Sequence, residues 1–209
     1  MLNIPPPVID DGSSSEDRAQ PPFWRPGPVL EFWFGSPPGP SRTEWFRKDA
    51  AFDARIRERF GALHAAASRR ELDSWRAQPE SMLALVVVLD QFSRNLFRGD
   101  PRAFAQDAYA RECAREALAR GDDRSLLPVQ RQFLYLPLEH SEDLADQERS
   151  VELMRALEPF EETRGLTEWA EKHRVIIARF GRFPHRNAAL GRASTAEEIA
   201  FLAQPGSGF

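Results

Sequence analysis

The chain has 209 residues, 42% hydrophobic, 11% aromatic and 29% charged, with a formal net charge of −4. That length buries a sizeable core in one large domain or two small ones, and a mildly acidic chain has no basic field to draw it to nucleic acid. The lone Cys113 excludes an intrachain disulfide and a cysteine-based zinc site, and the longest apolar run, Met82 to Leu89, is far short of the ~20 residues a membrane span needs.

Residues 1–22 carry Pro5-Pro6-Pro7 and then Asp10-Asp11-Gly12-Ser13-Ser14-Ser15-Glu16-Asp17. Such a segment buries too little apolar area to offset its conformational entropy, so a disordered acidic Pro/Ser-rich tail is expected. Its default role is an inert end, and a partner-binding arm is the alternative. Met1 to Asp11 has neither the basic start nor the apolar core of a signal peptide. The expectation is a cytoplasmic protein with no membrane partner.

From residue 23 to 209 a single all-α domain is expected. Pro28 opens and Gly35 closes a short helix whose Leu30, Phe32, Trp33 and Phe34 cover most of its circumference, which makes it a buried plug. Thr43 to Ala67 reads as one helix, with Trp45, Phe46, Phe52, Ile56, Phe60 and Leu63 in a stripe. Pro79 to Asn95 is the central helix, apolar on every side from Met82 to Leu89, so neighbours pack all round it. Asp90 and Arg94 stand at i, i+4 and can pair on one face.

Asp100-Pro101 caps and opens a helix running to Arg120, ended by Gly121. Pro128 opens another over Val129 to Leu136, which Pro137 is expected to stop. After Glu139-His140-Ser141-Glu142-Asp143 a helix passes through Val151, Leu153, Met154 and Leu157 to Pro159. Leu166 to Phe180 is strongly amphipathic, with Trp169, His173, Ile176, Ile177 and Phe180 on one face and Gly181 as a left-handed stop. Ser194-Thr195-Ala196-Glu197 reads as a capping box for a last helix through Ile199, Phe201 and Leu202. Antiparallel pairs joined by short Pro/Gly loops suggest a right-handed helical-repeat stack, although no clean repeat of ~34 residues is present.

Four polar clusters lie beside apolar elements: Asp90 to Asn95, Glu139 to Asp143, His173, and Arg179 to Asn187. The last holds three arginines, a histidine and two phenylalanines within nine residues, and aromatic residues are rarely left exposed between charges. It reads as a rigid turn whose Phe side chains dock while its cations converge on a site. Charges beside a core need partners. Acids Asp90, Glu139, Glu142 and Asp143 are therefore expected to face Arg94, Arg179, Arg182 and Arg186.

Three readings of these residues stand open. A binding module would use Asp90, Arg94, Asn95, Glu139, His140, Glu142, His173, Arg179, Arg182, His185 and Arg186 as a rigid cleft for an anionic small molecule or a protein segment, since arginine's planar fork suits carboxylate and phosphate. A hydrolase or transferase acting on a phosphorylated or carboxylated metabolite would use His140 or His185 as acid or base. A structural ion-pair network locking helix ends needs no ligand. His173, on an apolar face, reads first as a hydrogen-bonded core histidine. No metal-ligand spacing, Gly-x-Ser-x-Gly elbow around Ser93 or Ser141, or Gly-rich phosphate loop occurs, so no metal or cofactor is expected.

Four stretches carry a resemblance to a known family: Val29 to Phe34; Leu89 to Arg98; Phe133 to Glu142; and Phe180 to Asn187 with Leu190-Gly191-Arg192. On these the chain resembles the bacterial family called domain of unknown function 924. The resemblance runs through residues 29 to 202 and implies a tetratricopeptide-like all-α fold. It implies no activity and supplies no catalytic residues.

Overall fold

A computed structural model describes residues 24–39 and 42–207. The expected disordered tail lies outside the described residues, which contain helices and turns and no strand. None of these helices is long and apolar enough to cross a membrane.

Helix α1 (Pro26–Phe34) begins with its prolines in the first turn and buries Val29, Trp33 and Phe34. Trp33 sits in an aromatic centre, 5.5 Å edge-on from Phe133 and 5.7 Å from Phe92. Trp45 packs edge-on against Phe133 at 4.7 Å and donates its indole N–H to the Trp33 carbonyl. Such pairs add about 0.5–1.5 kcal/mol each beyond their buried area.

The single helix expected over Thr43 to Ala67 is divided. A short 3-10 turn (Thr43–Trp45) precedes α2 (Ala50–Ser68), because the Asp49 carboxylate accepts from the Ala51 and Phe52 amides and starts a new helix there. Phe46 falls in the gap and is 60% exposed rather than part of the buried stripe.

The central rod is helical throughout, though not uniformly. α3 (Pro79–Val86) passes into a π-helical turn (Val87–Phe92) and ends as α4 (Ser93–Leu96). Every residue from Met82 to Phe92 is buried, Asp90 and Gln91 included. α1, α5 and α6 pack around α3, and α2 packs on the π turn and α4.

The next helix is also shorter than expected. Asp100 caps only a 3-10 turn (Pro101–Ala103), and α5 (Asp107–Arg120) starts afresh, which puts Asp107 at a helix N-terminus. α6 (Pro128–Glu139), by contrast, runs on past Pro137. A proline near a helix end removes one internal hydrogen bond without breaking the last turn. That extra turn delivers Glu139 and His140 to the site.

α7 (Leu144–Arg155) is capped by Asp143 and ends before Pro159. It packs between α6 and α8 (Leu166–Phe180). α8 buries His173, Ile176 and Ile177, whereas Trp169 is 53% exposed beneath Lys172. Gly181 takes a φ of 67°, the left-handed stop that a side chain would strain. The turn beyond it docks through Phe183, fully buried with Ile176 and Ile177 in a second small core. α9 (Ala196–Leu202) opens on a capping box one residue later than expected, Thr195 with Glu198.

Candidate functional site

Four elements meet at one place: the π turn carries Asp90, the end of α6 carries Glu139 and His140, the start of α5 carries Asp107, and the turn after α8 carries Arg186. A π turn widens the helix by one residue and often occurs at functional positions.

Asp90 is 1% exposed and serves three partners. It lies 2.8 Å from His140 Nδ1, 3.0 Å from Arg94 Nη1, and accepts from the Gln91 side-chain amide at 2.6 Å. Burial pushes its pKa up, but Arg94 and His140 outweigh it and hold the carboxyl well below its ordinary range. An ionised carboxylate can only accept, so His140 carries its proton on Nδ1 and keeps the Nε2 lone pair. Burial, reinforced by Arg94, lowers the His140 pKa against the pull of Asp90, so the ring is neutral.

The arginines are tied down. Arg94 grips Asp107 with both Nη atoms at 3.0 and 3.2 Å. Arg186 reaches the same carboxylate at 3.1 Å and donates to the His140 carbonyl at 3.1 Å. Its guanidinium lies between the Phe104 and Phe183 rings, 4.7 and 4.5 Å from their centroids. Burial, with Arg94 nearby, lowers the Arg186 pKa to about 10, which still leaves it charged at neutral pH. Its Nε is buried with no hydrogen bond.

A second carboxyl–imidazole pair, Glu139 with His173, lies beside the first. His173 Nδ1 is 2.8 Å from the Trp169 carbonyl, which can only accept, and 3.2 Å from Glu139 Oε1. Its ring centroid is 6.2 Å from that of His140. Burial, with Asp90 nearby, raises the Glu139 pKa to about 8, so this carboxyl is protonated at neutral pH. Burial lowers His173 to about 3 and, with Arg186, lowers His185 to about 4. Among the described residues no group of three or more His, Cys, Asp or Glu could hold a metal ion.

Asp90, Arg94, Glu139, His140, His173 and Arg186 thus lie together, and Phe183 links His185 to them through ring contacts of 5.7 and 5.5 Å. Glu142 borders the cluster, accepting from the Phe183 amide and bidentately from Arg192. The other expected residues are engaged elsewhere. Asn95 donates to Asp53 on α2. Arg179 pairs with Glu197 and Arg182 with Glu198, both acids of α9. Asp143 spends its carboxylate capping α7. Ser93 is buried between His64 and the Leu89 carbonyl, and Ser141 donates to Asp146.

Sequence reasoning omitted Asp107, Phe104 and Arg192. Asp107 was hidden because the segment from Pro101 reads as one helix, leaving no reason to place a helix start there. Arg192 follows Leu190-Gly191, and nothing local in the sequence pairs it with Glu142, 50 positions away.

Fold and cluster together define a class: an all-α protein in which two arginines, two histidines and three acids are interlocked between a π turn, two helix ends, the middle of α8 and the turn after it. The family model described as bacterial protein of unknown function (DUF924) matches residues 29–206, and the chain belongs to that family. It is similar to the solved structure of a protein of unknown function from Agrobacterium tumefaciens, with 45% identity over 85% of this chain and 96% of that one and a TM-score of 0.77. No curated protein matches the chain.

Proposed function

We propose that the cluster is a site for a small phosphorylated or carboxylated metabolite, with His140 as its acid–base group and Arg94 facing the ligand's anionic group. The observation that carries this reading is the 2.8 Å contact between Asp90 and His140 Nδ1. It orients a neutral imidazole whose Nε2 has no hydrogen bond among the described residues, and 14% of that side chain remains exposed. A general base needs that combination of a fixed tautomer, a free lone pair and access. Arg94 keeps 20% of its side chain exposed, against 7% for Arg186, so Arg94 is the more accessible cation. The chemistry would be hydrolysis or group transfer, and a binding module would use the same groups without the proton transfer. The proposal takes the helices as a tetratricopeptide-like stack, supported by the serial packing of α6, α7 and α8.

A second reading rests on charge balance. Arg94 and Arg186 are matched by Asp90 and Asp107, while Glu139 and the histidines are neutral, so the cluster has the make-up of a structural lock. One experiment separates the readings. A thermal-shift screen of wild type against phosphorylated and carboxylated metabolites is repeated with His140→Asn and Arg94→Met, followed by turnover assays on each hit. The proposal expects a stabilising ligand whose effect Arg94→Met abolishes, and a turnover that His140→Asn removes while affinity is kept. Binding without turnover leaves a binding module. If no ligand shifts wild type and the substitutions change only stability, the structural lock stands.

A further inference from the structure

The charge balance that gives the cluster the make-up of a lock ends one turn further along α5. Asp107, Arg111 and Arg115 follow one another at i, i+4 and i+8, so they form one stripe of that helix. Asp107 binds Arg94 and Arg186 beside His140. Arg111 and Arg115 turn to Asp146 in the first turn of α7. Asp146 in turn accepts from Ser141, the residue after His140, at 2.7 Å. The stripe therefore runs along the corner between α6 and α7 that carries His140.

Arg111 is the arginine of this corner with unused donors. Its Nε stands 3.5 Å from Asp146 Oδ2, and its side chain makes no hydrogen bond among the described residues. Its neighbours are committed: Arg94 grips Asp107 with both Nη atoms, Arg186 holds Asp107 and the His140 carbonyl, and Arg115 holds Asp146. Charge leaves the same residue over. Arg94, Arg111, Arg115 and Arg186 face the carboxylates of Asp90, Asp107 and Asp146, while Glu139 and His140 are neutral. Glu142 is matched by Arg192, and Asp143 is exposed and caps the N-terminus of α7. One positive charge is thus unmatched at this corner, in a chain of net charge −4. It belongs to Arg111, whose side chain is 29% exposed.

We propose that Arg111 is the anion-receiving residue of the site at His140, and that the group it receives is a carboxylate. The proposal rests on the reading of His140 as part of a ligand site. The free Nη pair of Arg111 meets both oxygens of one carboxylate, fork against fork. A carboxylate also brings the single negative charge that the corner lacks. A phosphate monoester brings about −1.5 to −2 at neutral pH, and the excess stands against Asp90 and Asp107. Arg94 adds positive field to the same ligand, with its own fork closed on Asp107.

The test uses the full chain with isotope-labelled histidine, titrated at neutral pH and constant ionic strength. The probes are acetate, lactate and benzoate, against methyl, glycerol and phenyl phosphate. The His140 imidazole resonance, assigned by its loss in His140→Asn, reports occupancy by NMR. The expected result is a carboxylate that shifts this resonance saturably and binds about tenfold or more tightly than the phosphates, which corresponds to about 1.4 kcal/mol. Arg111→Met is expected to weaken that carboxylate by a similar factor. Arg111→Lys, which keeps the charge without the fork, is expected to recover part of the loss. Urea midpoints of both variants should stay near wild type, because Arg115 still holds Asp146. Phosphates that bind as tightly as the carboxylates overturn the proposal, and so does an Arg111→Met variant that loses stability but keeps its affinity. Binding that Arg94→Met removes and Arg111→Met leaves intact also overturns it, while the ligand site at His140 stands. If no probe moves the resonance, that site falls as well.

Discussion

Arg186 donates to the backbone carbonyl of His140 at 3.1 Å, across 46 positions of sequence. Its other Nη holds Asp107 at the start of α5, so one guanidinium joins the C-terminal carbonyl of one helix to the N-terminal acid of another. Both contacts suit the helix dipoles. Removing the arginine takes the side-chain donor away from the His140 carbonyl and opens the space between Phe104 and Phe183. Arg186→Met should therefore destabilise the fold by about 1–3 kcal/mol, the usual cost of leaving a hydrogen-bonding group without its partner, because Arg94 still pairs with Asp107. Arg186→Lys keeps the charge but loses the fork, and should cost about 1–2 kcal/mol for one bond. Urea denaturation measures both, and a Met variant as stable as wild type would contradict the clamp.

Acid should unfold this protein through its histidines. Burial lowers His64 to about 4, His173 to about 3 and His185 to about 4, and His140 shifts in the same direction. In the unfolded chain these rings titrate near 6.5, so below that pH the unfolded state binds protons that the folded state refuses. Stability is thus full above 6.5 and is lost as pH falls towards the folded values. Imidazole titrations followed by NMR should show no histidine titrating at 6.5 in the folded chain. A normal value for His173 would mean that α8 does not bury it.

Much of this arrangement was legible from residue patterns. Glycine marked the stops of α1 and α8, a proline opened α1 two residues before the expected Pro28, and the apolar run from Met82 marked the rod that others surround. What stayed hidden came from contacts remote in sequence. Asp49 restarts a helix that the Trp45–Leu63 stripe reads as continuous, since a side-chain cap competes locally with a long-range apolar pattern. Pro137 was expected to end α6, but the cost of one lost hydrogen bond is offset by the burial of Phe133, Leu134, Leu136 and Leu138 around it. The partners of Arg179 and Arg182 were hidden for another reason. Glu197 and Glu198 sit in a helix start, where acids already have a local explanation in the dipole.

Phe183 tests whether the late turn is held by packing or by charge. It is fully buried against Ile176 and Ile177, with His173, His185 and Arg186 around its ring. Its amide donates to Glu142. Phe183→Ala should cost about 3–5 kcal/mol through the cavity it leaves. Hydrogen exchange should quicken over residues 181–192, because this second core is small and depends on that ring. If the exchange pattern is unchanged, the ion pairs to Glu142 and Glu198 alone hold the turn.

Glu139 should make the protein less stable as pH rises, the opposite of the histidines. Its carboxyl is raised from an ordinary 4.5 to about 8 by burial and by Asp90. Between those values the folded state holds a proton that the unfolded state has released, so the contribution is full below 4.5 and is lost as pH climbs through 8. The groups facing it offer no direct cation: Asp90 from the π turn is negative, and His140 and His173 are neutral. Glu139→Gln replaces the protonated acid by a neutral amide of similar shape. It should flatten the alkaline side of the stability profile and raise stability at pH 8 by an amount of the order of a few kcal/mol. Denaturation of wild type and variant across this range reads it directly. Parallel profiles would mean that Glu139 is ionised in the folded protein and that a cation reaches it.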